Sequence, residues 1–151
     1  MIGGEVAQSL GVAEGSPQHA KLTQAAGLIW EKWFKPADLD GDGAATLHEW
    51  LQVCDIFGQL PSAADEAVET VKPVVEAMDA NGDGKVTFTE YSALIKAIGS
   101  CTDEEARTGF DKLDRDGNGT LSAEEVSLGW FEYFFTDDPD APGNWFYGRR
   151  F

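Results

Sequence analysis

Acidic and amide side chains recur at one fixed spacing in three twelve-residue segments. Loop one is DLDGDGAATLHE (residues 38–49), loop two is DANGDGKVTFTE (79–90) and loop three is DRDGNGTLSAEE (114–125). Each places oxygen-bearing side chains at positions 1, 3, 5 and 9, a main-chain carbonyl at position 7 and a glutamate at position 12. Such a set can surround a hard cation that prefers six to eight oxygens, and the glycine at position 6 permits a sharp turn. We therefore interpret the three loops as calcium sites.

The loop positions also predict the ligands one by one. The residue at position 7 would use its carbonyl oxygen, and the residue at position 9 would bind directly or through a water molecule. Mg²⁺ is the expected competitor for Ca²⁺. The predicted metal ligands are Asp38, Asp40, Asp42, Ala44, Thr46 and Glu49 in loop one, Asp79, Asn81, Asp83, Lys85, Thr87 and Glu90 in loop two, and Asp114, Asp116, Asn118, Thr120, Ser122 and Glu125 in loop three.

The charge of the chain agrees with this interpretation. The 151 residues carry a formal net charge of −16, and many of the 27 acidic residues lie at the predicted ligand positions. A surface of this kind argues against nucleic acid and against anionic membranes, since both require an excess of Lys and Arg. No run is long and apolar enough for a membrane span or a signal peptide, so we expect a cytoplasmic protein.

No pattern in the sequence predicts catalysis. The two cysteines, Cys54 and Cys101, form no motif and are expected to be free thiols in a reducing compartment. The acidic side chains are assigned to metal rather than to paired acid–base work, and no nucleophile stands beside a base. We predict neither catalytic residues nor an organic cofactor, and hence a protein that is not an enzyme.

Helical periodicity flanks every loop and predicts an all-α fold of helix–loop–helix units. Apolar residues recur at helical spacing from about residue 16 to about residue 34, before loop one. Thr102 with Glu105 predicts a capping box for the helix that enters loop three. Ser62 with Asp65 suggests another helix cap.

The loop spacing predicts how the units pair. Loops two and three start 35 residues apart, which suits a pair joined by a short bridge at position 8, where Val86 and Leu121 stand. Loop one carries the small Ala45 at that position and has no visible partner. We call each helix–loop–helix unit a hand. We therefore expect residues 1–60 to hold one odd, unpaired hand and residues 61–151 to hold the paired hands with an aromatic tail. The odd hand makes a homodimer plausible, with two first hands meeting around a twofold axis.

The complete loops resemble those of the EF-hand superfamily. Their spacing, together with the ending PDAPGNWFYG (139–148), is similar to the sarcoplasmic calcium-binding group, which includes calerythrin-like and coelenterazine-binding proteins. This resemblance implies a compact four-hand domain of which the chain shows the second to fourth hands. The related photoproteins use a histidine on the last exiting helix; the corresponding position here is Trp130, so the resemblance does not extend to a light reaction.

Two functions remain open at this point. A core that is aromatic rather than rich in methionine favours a compact Ca²⁺ buffer or signal modulator over a sensor that opens a groove. The alternative is a Ca²⁺-gated carrier of a small hydrophobic, aromatic ligand. In either case we expect the aromatic tail to fold back over the helices. The residues that suggest the carrier are Trp30, Trp33, Trp50, Trp130, Phe134, Trp145 and Tyr147.

Overall fold

The computed structural model describes Gln8 and residues 11–57, 62–98 and 101–148. Within them, the only β pairing is an isolated bridge between Val86 and Leu121, so the predicted all-α fold is confirmed. None of the described helices is both long and apolar enough to cross a membrane. The helices are α1 (Pro17–Ile29), α2 (Leu47–Phe57), α3 (Ala63–Met78), α4 (Phe88–Ile98), α5 (Asp103–Leu113) and α6 (Ala123–Phe135), with short helical turns at Trp30–Phe34, Lys35–Ala37 and Pro142–Trp145.

The helix starts follow from local hydrogen bonds, with one exception. The hydroxyl of Thr102 accepts from the Glu105 N–H at 3.2 Å, and Glu105 accepts from the Thr102 N–H at 2.7 Å, which confirms the predicted capping box. The predicted cap at Ser62 is wrong. Ser62 has a helical backbone, and its Oγ donates to the Glu66 carboxylate at 3.1 Å instead of accepting from a main-chain N–H. A helical φ and ψ at that residue aim the side chain along the helix rather than back at the first turn.

A cluster of aromatic rings joins the first hand to the last helix. Trp33 is 2% exposed, and its ring lies 5.2 Å from Phe57, 5.1 Å from Trp130 and 5.4 Å from Phe135. Trp50 extends the cluster by stacking on a neighbouring phenylalanine of the loop-one entry. In addition, α1 packs on α3 and α3 packs on α6. These contacts hold loop one against the part of the chain that carries loops two and three. The aromatic cluster consists of Trp33, Phe34, Trp50, Phe57, Trp130, Phe134 and Phe135.

The tail, residues 136–148, folds back over α5 and α6. Phe146 is 5% exposed, and its carbonyl accepts a 2.8 Å hydrogen bond from the buried Tyr91 hydroxyl. Burial raises the pKa of Tyr91 well above its ordinary value, so this hydroxyl remains a donor. The close approach requires a helix residue without a side chain, because a Cβ at Gly109 would lie 2.5 Å from the Trp145 carbonyl oxygen. The tail is therefore packed on the helices that flank loop three.

Candidate metal centres

The carboxylate at position 1 is fixed in the same way in all three loops. It accepts from the N–H groups of positions 5 and 6, at 3.0 and 2.9 Å for Asp38, 3.2 and 2.8 Å for Asp79, and 3.0 and 2.9 Å for Asp114. The chain can bend tightly enough for this because the glycine at position 6 has a φ of +87°, +81° and +84° in the three loops. Each first ligand is thus oriented by the main chain that wraps around it.

Positions 3 and 5 continue this arrangement. The side-chain oxygen at position 3 accepts from the N–H of position 5, and the oxygen at position 5 accepts from the N–H of position 7. The first distance is 3.1, 2.8 and 3.0 Å in loops one to three, and the second is 2.8, 2.9 and 2.9 Å. The residues at these two positions are Asp40 and Asp42, Asn81 and Asp83, and Asp116 and Asn118.

The glutamate at position 12 closes each loop and also begins the helix that follows. One carboxylate oxygen of Glu49, Glu90 and Glu125 accepts from the N–H of position 2 at 3.0, 2.9 and 2.8 Å. The other accepts from the N–H of position 9 at 2.9, 2.8 and 2.9 Å. In return, the position-9 hydroxyl accepts from the glutamate N–H at 3.3, 3.4 and 3.2 Å.

This reciprocal pair is a capping box, and no capping box was predicted at these positions. The signal was present in each loop as Thr or Ser followed three residues later by Glu: TLHE, TFTE and SAEE. The residues at position 9 therefore act as helix caps here, and their hydroxyls donate to the glutamate at 2.6, 2.7 and 2.9 Å. The cap therefore fixes the orientation of the position-12 carboxylate independently of any ion.

The acidic side chains are close enough to share one cation. Carboxylate oxygens of Asp38, Asp40 and Asp42 all lie within 4.8 Å of one another, and so do those of Asp114, Asp116 and Glu125. Like charges at this distance repel, and a divalent cation would remove the repulsion. Loop two has the neutral Asn81 at position 3 in place of an acid. Because all the side-chain donors are oxygens, the three loops fit a hard cation such as Ca²⁺ rather than a softer metal.

The hydrogen bonds also keep several of these groups ionised. The Thr46 hydroxyl and N–H lower the pKa of Glu49, and the Asn118 side chain and N–H lower the pKa of Asp116. Burial alone would raise the pKa of Glu125 and of Asp79, but the N–H and hydroxyl donors of their own loops outweigh it, so that both pKa values are lowered. The loops thus present carboxylates rather than carboxylic acids to a cation.

Loops two and three are joined, as the spacing predicted. The Val86 N–H donates to the Leu121 carbonyl at 2.9 Å, and the Leu121 N–H donates back to Val86 at 2.8 Å. Both side chains are fully buried. Ala45, at the same position of loop one, takes part in no such bridge within the described residues. Two loops thus form one unit, while loop one is held through the aromatic cluster and through the packing of α1 on α3.

Loop three has a further connection, to the tail. The Arg115 guanidinium, at position 2 of the loop, lies 2.7 Å from a carboxylate oxygen of Glu132 on α6. The same oxygen accepts from the Gly143 N–H in the tail at 2.8 Å. No sequence pattern predicted this connection, because Arg115 and Gly143 lie 17 and 11 residues from Glu132 and belong to no motif with it.

The aromatic cluster has one feature of a ligand site. The Trp33 indole N–H is buried, and the described residues offer it no hydrogen-bond partner. Such orphaned donors are uncommon inside proteins. The rings around Trp33 nevertheless pack at ordinary contact distances, so side chains occupy much of the space beside it.

Comparison with known proteins places the loops in a family. A model of the EF hand matches residues 31–54, 76–95 and 107–127, which include the three loops. Calerythrin from Saccharopolyspora erythraea is 27% identical over 133 residues, covering 86% of this chain and 75% of calerythrin. The EF-hand resemblance and the likeness to calerythrin expected from the sequence are thereby confirmed.

Solved structures agree on the fold. A Streptomyces coelicolor calcium-binding protein, described as acting in prokaryotic calcium-mediated regulation, superposes with a TM-score of 0.69 at 23% identity, covering 97% of this chain and 82% of that one. The calcium-loaded apo form of the coelenterazine-binding protein from Renilla muelleri also gives 0.69, at 22% identity, covering 97% of this chain and 80% of that one. At such identities these two likenesses show the fold alone.

Proposed function

Because the chain is a calcium-binding EF-hand protein, we propose that it is a compact buffer or signal modulator that binds three Ca²⁺. The proposal of three bound ions rests on the hydrogen-bond pattern that is common to the three loops. In each one, the oxygens at positions 1, 3, 5 and 12 are held by equivalent N–H donors. A degenerate loop would be expected to lack part of this pattern.

We assign the ion in each loop to the residues that the sequence indicated. The side chains at positions 1, 3, 5 and 12 would bind directly, and the carbonyls of Ala44, Lys85 and Thr120 would complete the set. The hydroxyls at position 9 already serve as caps, which favours a bridging water over direct binding there. Mg²⁺ would compete, but a loop that offers six oxygens of its own and holds a water as the seventh ligand suits the larger ion.

The core favours a buffer or modulator over a sensor of the opening type. Sensors expose a groove rich in methionine when calcium binds. Here Met78 is 5% exposed and lies within the core. In place of flexible thioethers, rigid rings fill the contact between the first hand and α6. We infer that calcium tightens this protein rather than opening it.

Isothermal titration calorimetry with Ca²⁺ and, separately, with Mg²⁺ tests this proposal, combined with a mass measurement of the calcium-loaded protein. Three ions per chain are expected, with Mg²⁺ weaker at every site. A calcium titration that stops at two ions would contradict the number of sites. A large increase in the binding of a hydrophobic dye on adding Ca²⁺ would contradict the buffer and favour a sensor.

A second candidate is a calcium-dependent carrier of a small aromatic ligand, and the orphaned Trp33 N–H favours it. Coelenterazine is the probe, because this chain shares the fold of a protein that binds it. Quenching of tryptophan fluorescence by coelenterazine, lost in Trp33→Phe, would support the carrier. The Trp130→Phe variant is the matched control, since it also removes an indole from the cluster. No quenching in the unmodified protein would dismiss the carrier.

We also propose that the protein acts without catalysis and in the cytoplasm. The carboxylates gathered in the loops are engaged by main-chain donors, and the two solved structures reported above are described as a calcium-binding protein and a calcium-loaded protein. Incubation with coelenterazine and calcium should therefore yield no light.

A homodimer through loop one stays a prediction, and the mass measurement described above tests it directly. A monomer at high protein concentration in calcium would rule the dimer out.

A further inference from the structure

A surface groove lies outside the metal centres, between the first hand and the tail. Its volume is about 590 Å³. One wall is the outer face of α2, and the other is the end of α6 with the chain that leaves it. We call it the Leu47 groove. The residues that form it include Leu47, Trp50, Leu51, Tyr133, Asp138 and Pro139.

We propose that the Leu47 groove binds a basic amphipathic α-helix of a partner protein. The apolar wall is the first reason. Leu47 is 73% exposed and Leu51 is 56% exposed, and they are four residues apart on α2. Residues at that spacing lie one above the other on the same helix face. Two leucines side by side in solvent offer a ready contact for the leucines of another helix.

The walls are held in place by contacts behind them. The Trp50 ring stacks on Phe34 at 4.6 Å and meets Phe134 edge-on at 5.6 Å. On the other side, the Asn144 side chain donates to the carbonyls of Asp138 and Pro139 at 3.0 and 3.1 Å. A groove with fixed walls loses little conformational entropy when a partner binds.

A helix fits the Leu47 groove better than a small molecule does. Pockets for small molecules bury most of the ligand surface, and their lining is itself shielded from water. Here the two leucines are more than half exposed, so the groove is a shallow trough. Recognition of a helix in a groove requires such a trough, filled by apolar side chains that recur at helical spacing.

Charge determines which helix fits. The groove is lined by Asp137 and Asp138, both exposed, and none of its lining residues is basic. The whole chain carries −16, so a helix with Lys or Arg beside its leucines would be attracted from a distance and paired at the rim. A second copy of this chain would bring the same acidic surface against itself, and an acidic helix would meet repulsion.

The probe is an eighteen-residue synthetic peptide of leucine and lysine, labelled with a fluorophore, whose leucines recur at helical spacing. Its anisotropy is measured against the full chain in calcium-containing buffer at low and high salt. A peptide of the same composition in scrambled order and one with glutamate in place of lysine serve as controls. Sedimentation of the protein alone records its mass under the same conditions.

Leu47→Gln/Leu51→Gln removes the apolar wall and should weaken peptide binding by about tenfold or more. Ile56→Gln is the matched control, because Ile56 lies on the same helix, is 63% exposed and does not line the groove. Asp137→Asn should weaken binding less and reduce its salt dependence, whereas Glu124→Gln, at an exposed acid on α6, should leave it unchanged.

The proposal fails if Leu47→Gln/Leu51→Gln binds the peptide as tightly as Ile56→Gln does, or if the scrambled peptide binds equally well. It also fails if the protein alone sediments as a dimer that Leu47→Gln/Leu51→Gln dissociates, since the face then belongs to a second copy. The calcium stoichiometry is measured on the same samples. An intact count of three ions with no peptide binding overturns the groove and leaves the proposed buffer untouched.

Discussion

Loop one and the pair formed by loops two and three have the same internal hydrogen bonds but different surroundings. In the pair, each loop rests on the other through two main-chain hydrogen bonds between buried residues, Val86 and Leu121. Loop one has Ala45 at that position, without a bridge in the described part of the chain. The first hand is fixed instead by aromatic rings that reach α6.

The difference separates two requirements of a metal centre. The ligands are arranged by the loop itself, through its N–H groups and its helix cap, and all three loops meet this requirement. Coupling between centres depends on what lies behind the loop. We therefore expect the pair to bind its two ions cooperatively and loop one to bind its ion independently.

The buried side-chain packing at the bridge is the contact whose loss should weaken the pair most. Leu121→Ala gives loop three the residue that loop one carries, and it empties a fully buried site. The free energy of unfolding in calcium should fall by roughly 2–5 kcal/mol, the range for such truncations in a core. Ala45→Val changes the same loop position in the unpaired hand and should stay within about 0.5 kcal/mol.

Urea unfolding monitored by circular dichroism measures both variants, and calorimetry follows cooperativity. The Leu121→Ala protein should bind its ions at loops two and three with less cooperativity than the unmodified chain. Equal losses in Leu121→Ala and Ala45→Val would mean that the buried side chain at the bridge adds nothing to the pair.

Glu125→Gln tests the ligand at position 12 separately from the cap. A glutamine at this place can still complete the capping box, so α6 should begin as before. The change replaces a carboxylate by a neutral amide and should weaken calcium at loop three by about 100-fold, or roughly 2.7 kcal/mol. We expect a smaller loss at loop two, because the loops share a bridge.

Glu49→Gln is the counterpart in the first hand. It should weaken calcium at loop one by a similar factor and leave the affinities of loops two and three unchanged. Calorimetry of both variants, with Glu90→Gln as a third, provides the comparison. If Glu125→Gln leaves the affinity of loop two unaltered, the two loops are not coupled.

Two glycines extend the comparison between loop one and loop three, since one lies on the helix before loop one and the other on the helix before loop three. A Cβ at Gly109 on α5 would lie 2.5 Å from the Trp145 carbonyl oxygen and 2.6 Å from the Tyr91 hydroxyl, whereas one at Gly27 on α1 would meet nothing within 4 Å. Gly27→Ala should stabilise by about 0.5–1 kcal/mol, because alanine loses less entropy in a helix. Gly109→Ala should destabilise by about 1–3 kcal/mol, since it forces the tail away.

Thermal unfolding of the two variants decides the sign. An increase in Tm for Gly109→Ala would show that the tail is not packed on α5. Dye binding should increase in Gly109→Ala and remain unchanged in Gly27→Ala, since only the former uncovers the site of Phe146.

Local patterns in the sequence were enough to predict the helices, the pairing of loops two and three, and the capping box at Thr102. The helices and the capping box depend on residues a few positions apart, and the pairing depends on the residue at one loop position. The failure at Ser62 had a physical cause, since a side chain caps only when its own backbone is extended. Contacts over long distances in the chain, such as Trp33 with Trp130, left no periodic signal. Their partners are set by how the hands pack.

The smallest expected effect concerns the connection between loop three and the tail, for which loop one has no counterpart among the described residues. One carboxylate oxygen of Glu132 accepts from Arg115 at 2.7 Å and from the Gly143 N–H at 2.8 Å, while the Arg115 N–H itself donates to Glu125 at 2.8 Å. The carboxylate thus links a predicted ligand to the tail through a loop residue that binds no metal.

Glu132→Gln removes the charge and leaves one oxygen to serve both donors. The Arg115 side chain is about one-third exposed and solvent screens part of the ion pair, so we expect a loss of stability of only about 1 kcal/mol. Calcium affinity at loop three should fall a few-fold, while that at loop one is unchanged. Glu104→Gln, at an exposed acid on α5 outside the loops, is the control. Amide exchange at Gly143 reports the tail directly: faster exchange in Glu132→Gln alone supports the link, and equal rates in both variants would show that the tail holds loop three through apolar packing only.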